Sequence, residues 1–403
     1  MDRLARWIAM ALITGPLGAG MGWLLLEGVR LAGGLLPHHL GAYLSPAIGA
    51  VVVALIIARV PMVAGTGGDA YIASLGTGQN TRMSNLGVSA LKVITTSLTV
   101  GSGGSGGLAG PALHIGSGIH VISNAIVART ALFDRRDSRT ARIMGAAAVL
   151  ASVLGAPLAG GILAVEILDR ARIDYREVPP AILGGVSGTL FFGWFWGQSP
   201  AVTHHLVNPG GLDVLAAILT AALAGAAGLV LTRILSSLRR LSRGFAPRPI
   251  TLILGASLTG ALAVIVGSEI LGWGAIEAIH QFAGPNPVGV RGWQLLAGKL
   301  VGTAATVGTG GSGGVIGPAI VMGTFAGNAT ASLLGSCVTG ASIAGMASSL
   351  AAISNVPIAA AILMLEIFGG ASAVYACIGS ALGFQIARSG VAYFSLPNDE
   401  AGP

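Results

Sequence analysis

Charge is what this sequence has least of: Asp, Glu, Lys and Arg make up 9% of its 403 residues, against about 25% in a typical soluble domain. A soluble fold of this length needs a charged skin, so that class is excluded. Aromatic residues stand at only 5%, and there are two cysteines, Cys337 and Cys377, both in apolar segments. They have no metal-ligand spacing around them, so we expect packed thiols, with a single disulfide as the alternative. HExxH and GxSxG signatures and paired His or Cys ligands are missing, and Ser102, Ser105 and Ser312 have no neighbouring histidine. We therefore expect no enzyme, no catalytic residues, no metal and no cofactor. The net charge of +7 comes largely from arginines gathered in short stretches, Arg129 to Arg142, Arg170 to Arg176 and Arg233 to Arg248. That pattern is not a nucleic-acid footprint; under the positive-inside rule it marks cytoplasmic loops.

What remains is apolar. Hydrophobic residues reach 53% and mean hydropathy is +0.80. Apolar runs long enough to cross ~30 Å of hydrocarbon recur from end to end, and they are too continuous for alternating barrel strands. The expected fold class is an all-α integral membrane protein. Helices are predicted at about 4–33, 41–60, 69–75, 86–100, 111–129, 141–154, 157–171, 178–196, 212–242, 250–272, 291–307, 318–335, 339–352, 357–369 and 372–390. Several are too short to span the bilayer at 1.5 Å per residue, so broken helices are expected. The run after Arg6 is too long for a signal-peptide core, and the stretches Gln198–Pro209 and Gly284–Pro287, free of Lys and Arg, read as external. This places the protein in the plasma or inner membrane as a multi-pass chain with both termini cytoplasmic.

Glycine is abundant, 64 residues, and its clustering is informative. The thirteen residues from Thr99 to Pro111, Thr-Val-Gly-Ser-Gly-Gly-Ser-Gly-Gly-Leu-Ala-Gly-Pro, return 207 positions later from Thr306 to Pro318 with three substitutions. A lysine stands seven residues before each copy, Lys92 and Lys299. A second pair follows in the same order, Ala156 to Ile167 and Val356 to Ile367. The chain is thus a tandem duplication within a single membrane domain, 1–403. One repeat covers about 35–200 and the other about 212–400, and no soluble regulatory domain is expected.

The glycine-rich stretches cannot be helix interior, since each glycine costs ~1 kcal/mol relative to alanine. The closing proline suits the first turn of a helix. The pattern reads as helix, break, helix, with new helices from about Pro111 and Pro318. Helix starts set within the membrane present bare N–H groups and the positive end of a dipole, which suits an anion. Gly65-Thr66-Gly67-Gly68-Asp69 follows the same logic, with Thr66 as a hydroxyl donor and Asp69 as a helix cap. Tight small-residue helix crossings are the structural alternative.

These residues resemble the CLC chloride channel and transporter family over nearly the whole chain. Gly65 to Asp69 is similar to its GSGIP element, whose serine contacts the ion. Gly107-Leu108-Ala109-Gly110-Pro111 is similar to GREGP, and Gly314-Val315-Ile316-Gly317-Pro318 to GIFAP. Ala156 to Gly160 followed by Glu166 resembles the APLAG helix, and Tyr393 stands where the family has its pore tyrosine. The resemblance implies a CLC-type inverted-repeat bundle of about 15–18 helices and a homodimer. It implies an anion pathway through Thr66, Gly67, Leu108, Ala109, Gly110, Val315, Ile316, Gly317 and Tyr393. Two departures matter most: the family's gate glutamate is Ala109, and the inner proton glutamate of many exchangers is Ile167. A methyl group can neither plug an anion site nor carry a proton. We therefore expect passive, proton-uncoupled conduction of chloride or similar small anions. The alternatives are a proton-coupled antiporter with non-standard carriers, such as Glu166 or a histidine, and a fluoride-selective variant.

Four other charged residues carry open readings. Glu166 and Glu366 match across the repeats and could cap a helix, pair with arginine or serve transport. Lys92 and Lys299 could raise the pore potential or hydrogen-bond loop carbonyls. His114 and His120 read as packing or capping residues, and His204-His205 as solvated surface.

Overall fold

The computed structural model describes residues 3–35, 43–76, 85–127, 137–169, 173–197, 210–242, 248–274, 289 and 291–388. The first half holds α1 (Arg3–Gly34), α2 (Ser45–Arg59), α3 (Gly68–Leu75), α4 (Leu86–Gly101), α5 (Ala109–Gly118), α6 (His120–Val127), α7 (Asp137–Leu154), α8 (Pro157–Glu166) and α9 (Val178–Trp196). The second holds α10 (Gly211–Ser242), α11 (Arg248–Val266), α12 (Arg291–Gly308), α13 (Ile316–Leu334), α14 (Val338–Ser354), α15 (Pro357–Phe368) and α16 (Ala373–Ile386). No strand occurs among the described residues; a single isolated bridge joins Gly107 to Gly314.

Four stretches, Arg3–Gly34, Val178–Trp196, Gly211–Arg240 and Pro249–Val266, are long and apolar enough to cross a membrane. The ten-residue α5 and α8 extend only about 15 Å each at 1.5 Å per residue. Outward-facing positions are apolar, among them Leu12, Leu24, Leu55, Leu254, Val264 and Ile265, the reverse of a soluble surface. Near the end of α9 Trp194, Phe195 and Trp196 are exposed, and Trp196 stacks on Trp23 of α1 at 5.3 Å. Aromatic rings gathered at a helix end suit the bilayer interface.

The centre of each half is a helix of small residues. In α7 Ala146, Ala147, Ala148, Val149, Leu150 and Ala151 are fully buried, and α14 is the same through Ile343, Ala344, Met346, Ala347 and Leu350. Close crossings make this possible. A Cβ on Gly116 of α5 would lie 2.3 Å from Gly145 O of α7, and one on Gly323 of α13 would lie 2.3 Å from Gly345 C of α14. With no hydrophobic drive between helices in lipid, such backbone approach supplies the packing energy.

The repeats are inverted, and hydrogen bonds show it. Lys92 in α4 donates to Val63 O at 2.9 Å and Gly65 O at 2.8 Å. Past the far end of α4, Gly272 N donates to Gly103 O at 3.1 Å. Lys299 in α12 donates to Ile270 O at 3.1 Å and Gly272 O at 2.9 Å. Past the far end of α12, Gly65 N donates to Gly310 O at 3.2 Å. So α4 runs from the Gly65 loop to the Gly272 loop, and α12 runs from the Gly272 loop back. Equivalent helices pointing opposite ways define an inverted-topology repeat.

Some sequence expectations shift. The new helices begin at Ala109 and Ile316 rather than at Pro111 and Pro318. Each proline takes the third helical position, where its missing N–H still costs no intrahelical bond. The helix expected over 111–129 breaks at Ile119, whose N–H bonds Gly116 O three residues back, a tightened turn. The helix expected over 250–272 stops at Val266 because Gly267 turns to φ +127°. Cys337 and Cys377 are free thiols; Cys377 is exposed rather than packed. Tyr393, His204-His205 and the expected external stretches 198–209 and 284–287 lie outside the described residues.

Candidate functional site

The two glycine loops meet back to back. Gly107 N donates to Gly314 O and Gly314 N to Gly107 O, both at 2.6 Å, a reciprocal pair at the symmetry point of the repeats. Around it lies hydroxyl packing across the halves: Ser312 Oγ is 3.0 Å from both Thr95 Oγ1 and Thr96 Oγ1, and Ser105 Oγ is 2.9 Å from Thr303 Oγ1. These side chains are buried, so their hydroxyls satisfy one another where water is excluded.

From this junction α5 leaves at Ala109 and α13 at Ile316, and α3 begins beside them. Gly67 has φ +79°, and a Cβ there would lie 2.8 Å from Gly110 O and 3.0 Å from Pro111 Cα. Only glycine admits both the backbone angle and the contact. Thr66, Gly67, Leu108, Ala109, Gly110, Val315, Ile316 and Gly317 are all buried and drawn to this one place. Tyr393 is outside the described residues.

Helix starts in this protein meet different groups at their free N–H ends. The N-cap residues of α3, α5 and α13 are Gly67, Leu108 and Val315, and none makes a side-chain cap. Elsewhere Asn85 caps α4, accepting from Val88 N at 2.8 Å. Glu166 accepts from Ile358 N and Ala359 N at 2.9 and 2.7 Å, and Glu366 from Leu158 N and Ala159 N at 2.8 Å each. Each glutamate therefore caps the short helix of the opposite repeat, α15 or α8, which is the capping reading among those the sequence left open. Carboxylates fill those two positive helix ends. At the junction Asp69 stands in the first turn of α3, whereas the first turns of α5 and α13 hold no acidic residue, and the dipole and N–H groups of those two helices favour an anion.

The lysines anchor loops. Both are completely buried, with the carbonyl partners given above, so each side chain pins one loop. Thr66 Oγ1 donates to Asp69 Oδ2 at 2.9 Å, and Arg239 Nη1 of α10 reaches the same oxygen at 3.1 Å. Asp69 thus lies inside the first turn of α3, paired to Thr66 and Arg239, and the N-cap expected of it is Gly67. His114 is buried in α5, and His120 Nδ1 is 2.7 Å from Ser117 O.

The family model for the voltage gated chloride channel matches residues 2–127 and 48–388. The chain belongs to this family. Among relatives of this voltage gated chloride channel family member, an uncharacterized protein of Methanocaldococcus jannaschii is 29% identical over 305 residues, 74% of each chain. The chloride/fluoride channel protein of Pseudomonas syringae pv. tomato is 29% identical over 262 residues, 62% of this chain and 56% of that one. In three dimensions the fold is similar to a CLC-type fluoride/proton antiporter, with a TM-score of 0.81 at 19% identity and 97% of each chain covered.

Three features escaped sequence reading. The reciprocal glutamate caps join residues 192 to 208 positions apart, and no spacing rule reveals them. The Asp69–Arg239 pair needs α10 brought to α3. The third, Trp273, had a signal: Gly272-Trp273-Gly274 lies 207 positions after Gly65-Thr66-Gly67, the offset of the longer repeat.

Proposed function

We propose that the protein conducts chloride or similar small anions passively through the junction of α3, α5 and α13, as a homodimer in the plasma or inner membrane with cytoplasmic termini. Ala109 carries this reading. It is the first residue of α5, buried at the point where helix starts converge, and it puts a methyl group where a carboxylate would compete with the anion. Ile167, just past Glu166, likewise offers no proton acceptor. Cross-capping occupies Glu166, which argues against it as a mobile proton carrier. Arg239 and Arg240 near the end of α10 favour a cytoplasmic position for the Thr66 loop under the positive-inside rule.

The test is reconstitution into chloride-loaded liposomes with anion efflux and external pH recorded together. Uncoupled conduction gives efflux with no proton movement and a reversal potential that follows the anion gradient alone. Protons moving in fixed ratio to chloride would replace it with the exchange reading. One observation favours that second reading: the Asp69 carboxylate accepts a hydrogen bond from the Thr66 hydroxyl. The names of the Pseudomonas relative and of the antiporter structure make fluoride the second anion to assay.

A further inference from the structure

The second repeat carries its own copy of the Thr66 loop. Gly65 and Gly67 have φ of 72° and 79°, and Gly272 and Gly274 have φ of 61° and 64°. Each loop follows one 3-10 turn, Pro61–Val63 or Ser268–Ile270, and each is gripped by its lysine. The loops differ in what stands between their glycines. The first presents a hydroxyl; the second presents the indole of Trp273.

That indole packs on the first turn of α13. A Cβ on Gly317 would lie 2.2 Å from Trp273 Cδ1, 2.4 Å from Trp273 Nε1 and 3.1 Å from Gly107 Cα. Trp273, Gly317 and the Gly107–Gly314 junction therefore meet, on the side opposite the Thr66 loop. Trp273 also lines a cavity of about 390 Å³ with Arg30, Gly101, Ser268, Glu269 and Phe325, at the C-terminal ends of α1 and α4. The cavity has room for several waters at ~30 Å³ each, and Arg30 and Glu269 make its wall polar. One side chain thus borders both the cavity and the buried junction.

We propose that Trp273 is the constriction between this cavity and the junction, setting the rate of anion passage and the size of anion admitted. The inference rests on the conduction reading above. An indole offers one N–H donor and an otherwise apolar surface, and apolar constrictions resist ions by excluding water. The backbone before it is fixed: Gly272 N bonds Gly103 O at 3.1 Å, and Gly272 O accepts from Gly106 N at 3.4 Å and from Lys299 Nζ at 2.9 Å. Passage therefore depends on rotation of one side chain. In a chain with Ala109 in place of a carboxylate gate, the ring supplies the barrier.

The experiment compares wild type, Trp273→Ala and Trp273→Phe in liposomes loaded with chloride or with the larger methanesulfonate. Expected are chloride efflux at least tenfold faster for Trp273→Ala, methanesulfonate efflux from that variant alone, and near-wild-type behaviour for Trp273→Phe. Should the alanine variant not assemble, Trp273→Cys in a Cys337→Ala, Cys377→Ala background is treated with a membrane-impermeant thiol reagent. Loss of flux supports the constriction, and unchanged flux overturns it. A folded Trp273→Ala variant with wild-type rate and size limit also overturns it. Wild-type protein that passes no anion sinks the conduction reading instead, so the two failures are distinguishable.

Discussion

At the scale of the residue, the site depends on what is small or missing. Ala109 leaves the start of α5 without an acidic side chain, so Ala109→Glu should introduce one at the proposed anion path. We expect chloride efflux to fall at least tenfold at neutral pH. It should recover as pH drops, because the protonated acid no longer competes as an anion; the pH profile of efflux measures this. Gly67 is the converse case. A methyl group there would sit 2.8 Å from Gly110 O on a backbone held at φ +79°, so Gly67→Ala must move α3 away from α5. Transport should be lost while membrane insertion persists, checked by efflux and by yield of the folded fraction. Thr66 and Ala109 stand out in the sequence itself, because the motifs that hold them are short and local. The bond from Thr66 to Asp69 does not, since a side-chain torsion decides it.

At the scale of the element, helix starts in this protein differ in what meets their free N–H groups. The starts of α8 and α15 receive a carboxylate from the opposite half; those of α3, α5 and α13 receive no side-chain cap from their N-cap residue. Removing a cap costs ~1 kcal/mol, and more when it strands buried amides. Glu166 is 4% exposed, and its bond to Ala359 N is buried, whereas the Glu366 bond to Leu158 N is exposed. Glu166→Ala should therefore lower the melting temperature of the detergent-solubilised protein more than Glu366→Ala does. Equal effects would show that burial does not decide their strength. The helices themselves were largely legible from apolar run length and flanking glycine and proline. Their ends moved where neighbours intervened, as at Ile119 beside the α5–α7 crossing.

At the scale of the whole molecule, the halves hold each other. Reciprocal caps, the Gly107–Gly314 pair, the Ser312 and Ser105 hydroxyl contacts and the two loop-to-glycine bonds all cross between repeats. A chain divided within 198–209 and expressed as two fragments should therefore co-purify as a complex. Glu166→Ala combined with Glu366→Ala should release a measurable fraction of free fragments on size exclusion. Intact association of the double variant would assign cohesion to helix packing alone. Antiparallel α4 and α12 also place Thr66 and Trp273 on opposite sides of the junction, so the repeated loop presents a hydroxyl on one side and an indole on the other.

The amino-acid sequence determined the solvent, the helical class, the duplication and the places where helices had to break. Those properties follow from composition and from glycine and proline acting on their immediate neighbours. Tertiary structure alone decided which helix ends receive a carboxylate, that the copies run in opposite directions, and that an indole rather than a hydroxyl faces the second side. Those outcomes depend on contacts between residues roughly 200 positions apart, where packing rather than chain connectivity selects the partner.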